Sequence, residues 1–420
     1  MELKYGSTSV TFDLPPEHLA GVIVPPPVDI ELSPVEIIIN ALANCDAVMS
    51  TYRPGDSVVI VTSDITRYTG SEIYLPLLVD SLNRHGIADD RIEILIALGI
   101  HRKQTEHEHR KILGSLYGRI RVTDHECDDP ASLVTVGTTS GGVKVSINRI
   151  AVEADRLILT GTIGFHYFAG FGGGRKSVLP GIASRKSCMA SHFAVLNPEE
   201  GSGKNPLAVT GNLDGNPVHR TMMDGCALAR PSFILNTVLT ADKRIVAAFA
   251  GDWREAHEAG CRFYRERFAY PLAEKGDLVI ASCGGFPKDI NLIQTHKSME
   301  YASQALRDEG VMILLAECRD GFGNSSFFSW FRHKSLSAFE AALRSGYEIN
   351  GQTAYSVLQK AQRFRIILVS EFPAQQVTEM GMIPARTLDD ALKMALPLLP
   401  EGWRCYLMPE AGSVLPVTAA

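Results

Sequence analysis

Short apolar runs ending in polar or glycine-bearing turns alternate with amphipathic segments along almost the whole chain, and few folds accommodate that alternation. A strand that is apolar on both faces needs cover on both sides, which helices crossing over a parallel sheet supply. The pattern predicts a strand at 57–62, a helix at 72–84 and a strand at 92–98. Thr105 and Glu108 have the spacing of a capping box and start the next helix. Strands follow at 156–163 and 245–251, and Asp252 caps a helix running towards Phe268. A second unit begins near Pro271, with strands at 278–282, 311–317, 365–370 and 404–408 and helices at 294–306, 336–345, 354–362 and 388–398. The fold class is therefore α/β, as two α/β domains, 1–270 and 271–400, with 401–420 a terminal segment that packs back on the first. Pro25-Pro-Pro27 makes an extended surface segment.

A length of 420 residues exceeds one ordinary core and fits this division. The formal net charge of −6 leaves no basic field to neutralise phosphates, which argues against nucleic acid as a partner. No apolar run reaches the roughly 20 residues that span a bilayer, and Met-Glu-Leu-Lys-Tyr-Gly at the start has no leader-like apolar stretch. The eight cysteines (45, 127, 188, 226, 261, 283, 318 and 405) are scattered without a C-x-x-C pair, as in buried small apolar residues of a reducing compartment. These features together predict a cytoplasmic protein.

The chemistry concentrates between His166 and His192. His166-Tyr-Phe-Ala-Gly-Phe-Gly-Gly-Gly-Arg-Lys176 follows the 156–163 strand, so it lies at a strand's carboxyl end, where open α/β sheets bind ligands. Glycines 170, 172, 173 and 174 permit positive φ and close backbone approach. A glycine-rich turn with Arg-Lys also reads as a solvated loop tip or a plain anion site. The spacing matches neither a P-loop nor G-x-G-x-x-G.

Other candidates sit at strand ends. Asp64 and Arg67 follow the first strand and His101 the second, and parallel strands would bring them towards His166. Arg67 reads equally as a surface ion-pair residue and as a carboxylate clamp. His107 and His109 lie two apart on a helix and point to different faces, so they read as a solvated face, and a metal shared with His101 is disfavoured. Gln294 and Lys297 share one face of a helix start, either as an anion site or as an exposed polar turn.

Taken together, Asp64-Ile-Thr-Arg67, Gly99-Ile-His101-Arg102, His166 with Gly173-Gly-Arg-Lys176 and Pro180-Gly181, His192, and Gln294 with Lys297 resemble, in order and over nearly the whole length, the lactate racemase family. That resemblance implies 2-hydroxy acid racemases and epimerases that use a nickel-pincer nucleotide, a pyridinium mononucleotide whose sulfur-bearing arms and ring carbon hold nickel. It implies covalent attachment of the cofactor at Lys176, with Asp64, Gly173, Gly174 and Ser177 as cofactor contacts and His192 as the protein ligand to nickel. Two sulfurs, a carbon and an imidazole suit square-planar Ni(II). His101 and His166 take the places of two bases, one for each enantiomer, and imidazole suits proton exchange near neutral pH. Arg67 is placed to hold the substrate carboxylate, and Gln294 and Lys297 to complete a pocket in the interdomain cleft. The cofactor-synthesis enzymes are implied as maturation partners.

The family carries a tryptophan near the segment that here reads Gly351-Gln-Thr-Ala-Tyr355. Gln352, Thr353 and Tyr355 stand there instead, and Phe168 and Ile293 are further pocket candidates. This favours a substrate larger or more polar than lactate, such as a sugar acid or a dicarboxylate. Lactate itself, a nicotinamide-dependent 2-hydroxy acid dehydrogenase, and a non-catalytic cofactor-binding relative are the alternatives. The missing Rossmann fingerprint counts against the dehydrogenase.

Overall fold

Val58, Ile60, Ile94, Ile96 and Ile158 point to one face of a sheet, and Val59, Val61, Leu95, Leu157 and Leu159 to the other, because strand side chains alternate. Both sets are buried, so these strands carry apolar side chains on both faces. The structure, a computed structural model, describes residues 1–28 and 31–418. Within them the chain divides into two compact bodies, one of residues 28–196 and 204–266, the other of 1–27, 197–203 and 267–420.

The first body holds a six-stranded sheet in the order Ile245–Gly251, Phe233–Leu239, Arg156–Ile163, Val58–Ser63, Ile92–Ala97, Arg121–Asp124. All neighbours are parallel except the first pair, so five strands end at the same edge. Helices Pro34–Ala43 and Ser71–Arg84 cover one face through Ile38, Leu42, Tyr74, Leu75 and Leu78. Ala151, Val178, Leu179 and Cys226 cover the other. Each such aliphatic side chain contributes about 1.5–3 kcal/mol by leaving water.

The second body holds a six-stranded sheet that is parallel throughout, in the order Ile383–Ala385, Arg365–Val369, Leu306–Leu315, Gly276–Ser282, Cys405–Met408, Leu19–Val22. Two expected boundaries change here. The first 27 residues belong to this body, because Leu19–Val22 adds to its sheet beside Cys405–Met408. The last segment belongs to this body as well: Cys405–Met408 lies inside this sheet, and Leu415–Thr418 pairs with Ala269–Leu272.

The expected local elements recur. Thr105 and Glu108 form the capping box that opens helix Glu106–Leu113. Asp252 accepts the Arg254 and Glu255 amides at the start of helix Trp253–Phe268. Helix 294–306 is shorter than expected: Leu292–Ala302 is α-helical, a 3₁₀ turn follows, and Leu306 already begins a strand. All eight cysteines are buried and unbridged. Among the described residues no helix is long and apolar enough to cross a membrane.

Candidate active site

The carboxyl ends of Val58–Ser63, Ile92–Ala97 and Arg156–Ile163 lie side by side, and Asp64, His101 and His166 follow directly from them. Side-chain amides and main-chain bonds join the three loops. Gln104 Oε1 accepts the Ile65 amide at 3.0 Å, and Asp124 accepts the Gln104 amide at 2.7 Å. Gly99 N donates to Gly181 O at 2.7 Å, tying the His101 loop to the end of the lysine-bearing loop. His109, expected on a solvated face, reaches Asp124 at 2.8 Å and belongs to this network. Among the described residues no group of three or more His, Cys, Asp or Glu is arranged to hold a metal.

Asp64 is 2 % exposed and accepts from His101 Nδ1 at 2.5 Å and from the Thr66 hydroxyl at 2.7 Å. Burial alone would raise its pKa, but the bonds from His101 and Thr66 and the charges of His101 and Arg67 outweigh it and hold the carboxyl below its ordinary range. An ionised carboxylate only accepts, so His101 carries its proton on Nδ1 and presents a lone pair at Nε2. Asp64 therefore serves His101 directly, a role its reading as a cofactor contact did not include. Arg67 is exposed and bonds its own Thr66 at 3.3 and 3.4 Å. Among the described residues no carboxylate forms a salt bridge with it, which removes the surface ion-pair reading.

The glycine loop folds back on its own strand. A Cβ on Gly174 would lie 3.0 Å from the Thr160 backbone, and one on Gly173, at φ +105°, 2.9 Å from His257 Nδ1. The close approach that demands glycine is thus to the protein itself. Asn236 Oδ1 accepts the Gly174 amide at 2.7 Å. Ser177, expected at the cofactor, is buried and donates its hydroxyl to Thr160 O at 2.7 Å, so its proton is committed to the fold. Arg175 is fully buried and donates to the carbonyls of Ala169, Phe171 and Gly172.

Lys176 follows, only partly exposed, with no hydrogen bond or ion pair to its amine among the described residues. Burial, then the charges of Arg175 and Arg67, push its pKa well below the ordinary lysine value. His166 is likewise pushed well below 6.5, by loss of solvent first and then by the charges of Lys176, His192, Arg67 and Arg175. The charge of Arg67 lowers the pKa of Asp64, His166 and Lys176 alike. The Ala169 amide points at His166 Nδ1 at 3.3 Å, a weak contact that places the neutral ring's proton on Nε2. Phe168 is buried edge-on between His166 and His192, at 4.6 and 5.3 Å between ring centres. It is a wedge between two imidazoles, not an open pocket wall.

His192 ends helix Arg185–Phe193, and its Nδ1 donates to Cys188 O at 2.9 Å. Its Nε2 then bears the lone pair, and no hydrogen-bond partner occupies it among the described residues. Burial lowers its pKa to about 4, so the ring is neutral and able to ligate a metal at physiological pH. A protein ligand to nickel and an acylatable amine both fit the side chains present.

In the second body Gln294 and Lys297 share a helix face as expected, with Lys297 Nζ donating to Gln294 Oε1 at 2.7 Å, and Ile293 beside them is partly exposed. Tyr355, expected at the substrate, is 3 % exposed and packs edge-on against Phe339 at 5.7 Å. Trp330 lies over the same helix: a Cβ on Gly351 would be 2.5 Å from its Cε2.

The buried neutral histidines carry a stability consequence. His192 (about 4) and His219, lowered by burial to about 3, each ordinarily titrate near 6.5. Between those values the unfolded chain binds protons that the folded one refuses, so stability is full above about 6.5 and is lost as pH falls towards 3–4. The melting temperature is expected to fall steadily from pH 6.5 to 4, and His219→Gln to flatten the slope. A flat melting temperature over this range would contradict buried neutral rings.

A carrier has no use for a carboxylate that fixes the tautomer of an exposed imidazole. Such a pairing suits an imidazole that exchanges protons. Residues 5–203 match the family described as lactate racemase N-terminal domain, and 272–415 that described as lactate racemase C-terminal domain. The chain is 35 % identical over 430 residues to the lactate racemase of Thermoanaerobacterium thermosaccharolyticum, covering 99 % of this chain and 98 % of that one. It is 33 % identical over 431 residues to the lactate racemase of Lactiplantibacillus plantarum, covering 99 % of each. The structure of the T. thermosaccharolyticum lactate racemase apoprotein superposes with a TM-score of 0.87, at 35 % identity over 99 % of each chain. A crystal structure of a Thermotoga maritima protein, at 18 % identity and a TM-score of 0.64 over 93 % of this chain and 100 % of that one, shares the fold alone. The chain belongs to the lactate racemase family and is an isomerase of the racemase type. The dehydrogenase alternative falls away with that membership.

Proposed function

We propose that this racemase inverts C2 of a 2-hydroxy acid, with a nickel-pincer nucleotide joined to Lys176 and its nickel ligated by His192 Nε2. The observation that carries the reading is the unpaired, partly buried amine of Lys176 on a loop fixed beside His166, with a neutral imidazole of His192 open at Nε2. When bound, the cofactor supplies a hydride acceptor and donor for C2. Arg67 holds the substrate carboxylate through parallel hydrogen bonds. His101 takes the hydroxyl proton of one enantiomer at Nε2, with Asp64 stabilising the imidazolium that forms. His166 serves the other enantiomer, and taking a proton at Nε2 requires releasing the Ala169 contact. The cofactor-synthesis enzymes are the maturation partners.

Asp64→Asn keeps the shape but lets the amide donate to His101 and favour the wrong tautomer. Racemisation is expected to fall about 10²-fold or more, the scale of a positioned proton-transfer group. A rate within twofold of the parent would remove Asp64 from the mechanism.

For the substrate we favour an acid larger or more polar than lactate, on the replacement of the expected tryptophan by Gln352, Thr353 and Tyr355. Lactate is the second reading, favoured by Trp330, which packs an indole over Gly351 from elsewhere in the sequence. Loss of optical purity, followed with cofactor-loaded protein on lactate, a dicarboxylic 2-hydroxy acid and a sugar acid, separates them. Fastest turnover of lactate would overturn the preference for a larger acid.

A further inference from the structure

Asn216 is 1 % exposed, and its side chain uses all its hydrogen-bonding capacity. Its Oδ1 accepts the Val218 and His219 amides, at 3.0 and 3.2 Å, and so caps helix Pro217–Ala229. Its Nδ2 donates to Phe168 O at 2.9 Å and to Asn212 O at 3.0 Å. Amide donors stand on one side and carbonyls on the other, so only one orientation of the side chain fits. A cap needs no more than an oxygen, which serine or aspartate also supplies. The donating half of Asn216 has a separate use.

That use lies in one peptide group. The carbonyl of Phe168 takes the bond from Asn216, and the amide of the same peptide, Ala169 N, points at His166 Nδ1 at 3.3 Å. The Phe168 ring itself lies edge-on to His166, at 4.6 Å between ring centres. His166 and Gly170 are paired in a short hairpin, and Gly211 N donates to Gly170 O at 2.9 Å. A Cβ on Gly170 would collide with Asn212 O, the second carbonyl that Asn216 holds. Residues 211–216 thus brace the His166 hairpin, and Asn216 closes the brace at the peptide that meets the ring. His101 is backed by the carboxylate of Asp64, whereas among the described residues no carboxylate bonds to His166.

We propose that Asn216 is a positioning residue for His166: by holding the Phe168–Ala169 peptide it keeps Nδ1 of the ring turned to the main chain and leaves Nε2 as the atom that meets the substrate. This rests on His166 as one of the two bases and says how the chain sets it. A donor bonded to a peptide carbonyl polarises the amide at the other end of that peptide, which strengthens the contact with the ring. Asn216 does for His166 through a peptide what Asp64 does for His101 directly.

The test is the nitrogen NMR spectrum of the full chain, labelled at histidine and produced without the cofactor-synthesis enzymes. It is recorded at about pH 8, where an imidazole of ordinary pKa is neutral, and His166→Gln identifies the His166 signals. Wild type is expected to show a bare Nδ1 and a protonated Nε2. Asn216→Ser and Asn216→Asp keep an oxygen for the cap and lose the amide donor. In both, the His166 signals are expected to move towards a mixture of the two tautomers. Loaded by co-expression, both are expected to racemise about tenfold more slowly or worse, with the parent's nickel content. The rate is read on whichever 2-hydroxy acid turns over fastest in the optical-purity screen. The parent's signals or the parent's rate in both variants is what a mere helix cap would give, and either would overturn the proposal. So would a wild-type His166 protonated on Nδ1, a result that decides even if neither variant folds. The spectrum needs no cofactor and is independent of attachment at Lys176, and His166→Ala tests the base itself, so either idea can fail alone.

Discussion

His101→Ala and His166→Ala are each expected to lower racemisation by about 10²–10⁴-fold while leaving bound nickel in place, whereas His192→Ala loses the metal. The division follows from what each ring offers. His101 is 43 % exposed at its side chain, backed by a buried carboxylate, with Nε2 turned to whatever binds. His166 stands partly exposed, its pKa lowered by burial first and then by the basic groups around it. His192 is 7 % exposed, neutral and fixed by its own helix carbonyl, the arrangement of a ligand and not of a proton shuttle. Metal content and rate, measured on the same co-expressed preparations, separate the roles. Full activity in both His101→Ala and His166→Ala would end the two-base mechanism, and full nickel in His192→Ala would end the ligand assignment.

Lys176→Ala is expected to show no covalent increment and no turnover, yet to melt at or above the parent's temperature. The amine has no hydrogen bond or ion pair to lose among the described residues, and removing a partly buried amine relieves a cost. Lys176→Arg is expected to be equally inert, because a guanidinium stays protonated and acylates poorly. Stability and function would then move in opposite directions at one position. A variant that turned over substrate, or one that unfolded, would show that the side chain serves the fold instead.

Periodicity was enough to find most strands of the first sheet. Arg156–Ile163 and Ile245–Gly251 fall where their apolar runs predict, and the Thr105 capping box is read directly from spacing. The strand Phe233–Leu239 escaped, because Asn236 and Thr237 interrupt its apolar run. Both polar side chains are used: Asn236 holds Gly174, and Thr237 donates to Thr69 O. Leu19–Val22 is too short to announce itself, and its partner strand lies at the far end of the chain. Motif order located His101, His166, Lys176 and His192, but spacing says nothing of where a side chain points. Ser177, Phe168 and Tyr355 therefore turned out to face the protein interior, and the pairing of Asp64 with His101 became visible only once two strand ends stood side by side. Arg175 was passed over beside its more reactive neighbour. A basic residue within a run of glycines and aromatics, with no acidic residue near it in sequence, was the available signal.

The central claim is that Lys176 and His192 hold a nickel-bearing nucleotide, and intact mass with metal analysis on protein co-expressed with the cofactor-synthesis enzymes tests it most directly. A mass increment confined to the Lys176 peptide, with about one nickel per chain, is the predicted result. An unmodified Lys176 and no nickel, from synthesis enzymes shown to load another member of the family, would contradict it, and the glycine loop would then be a plain anion site.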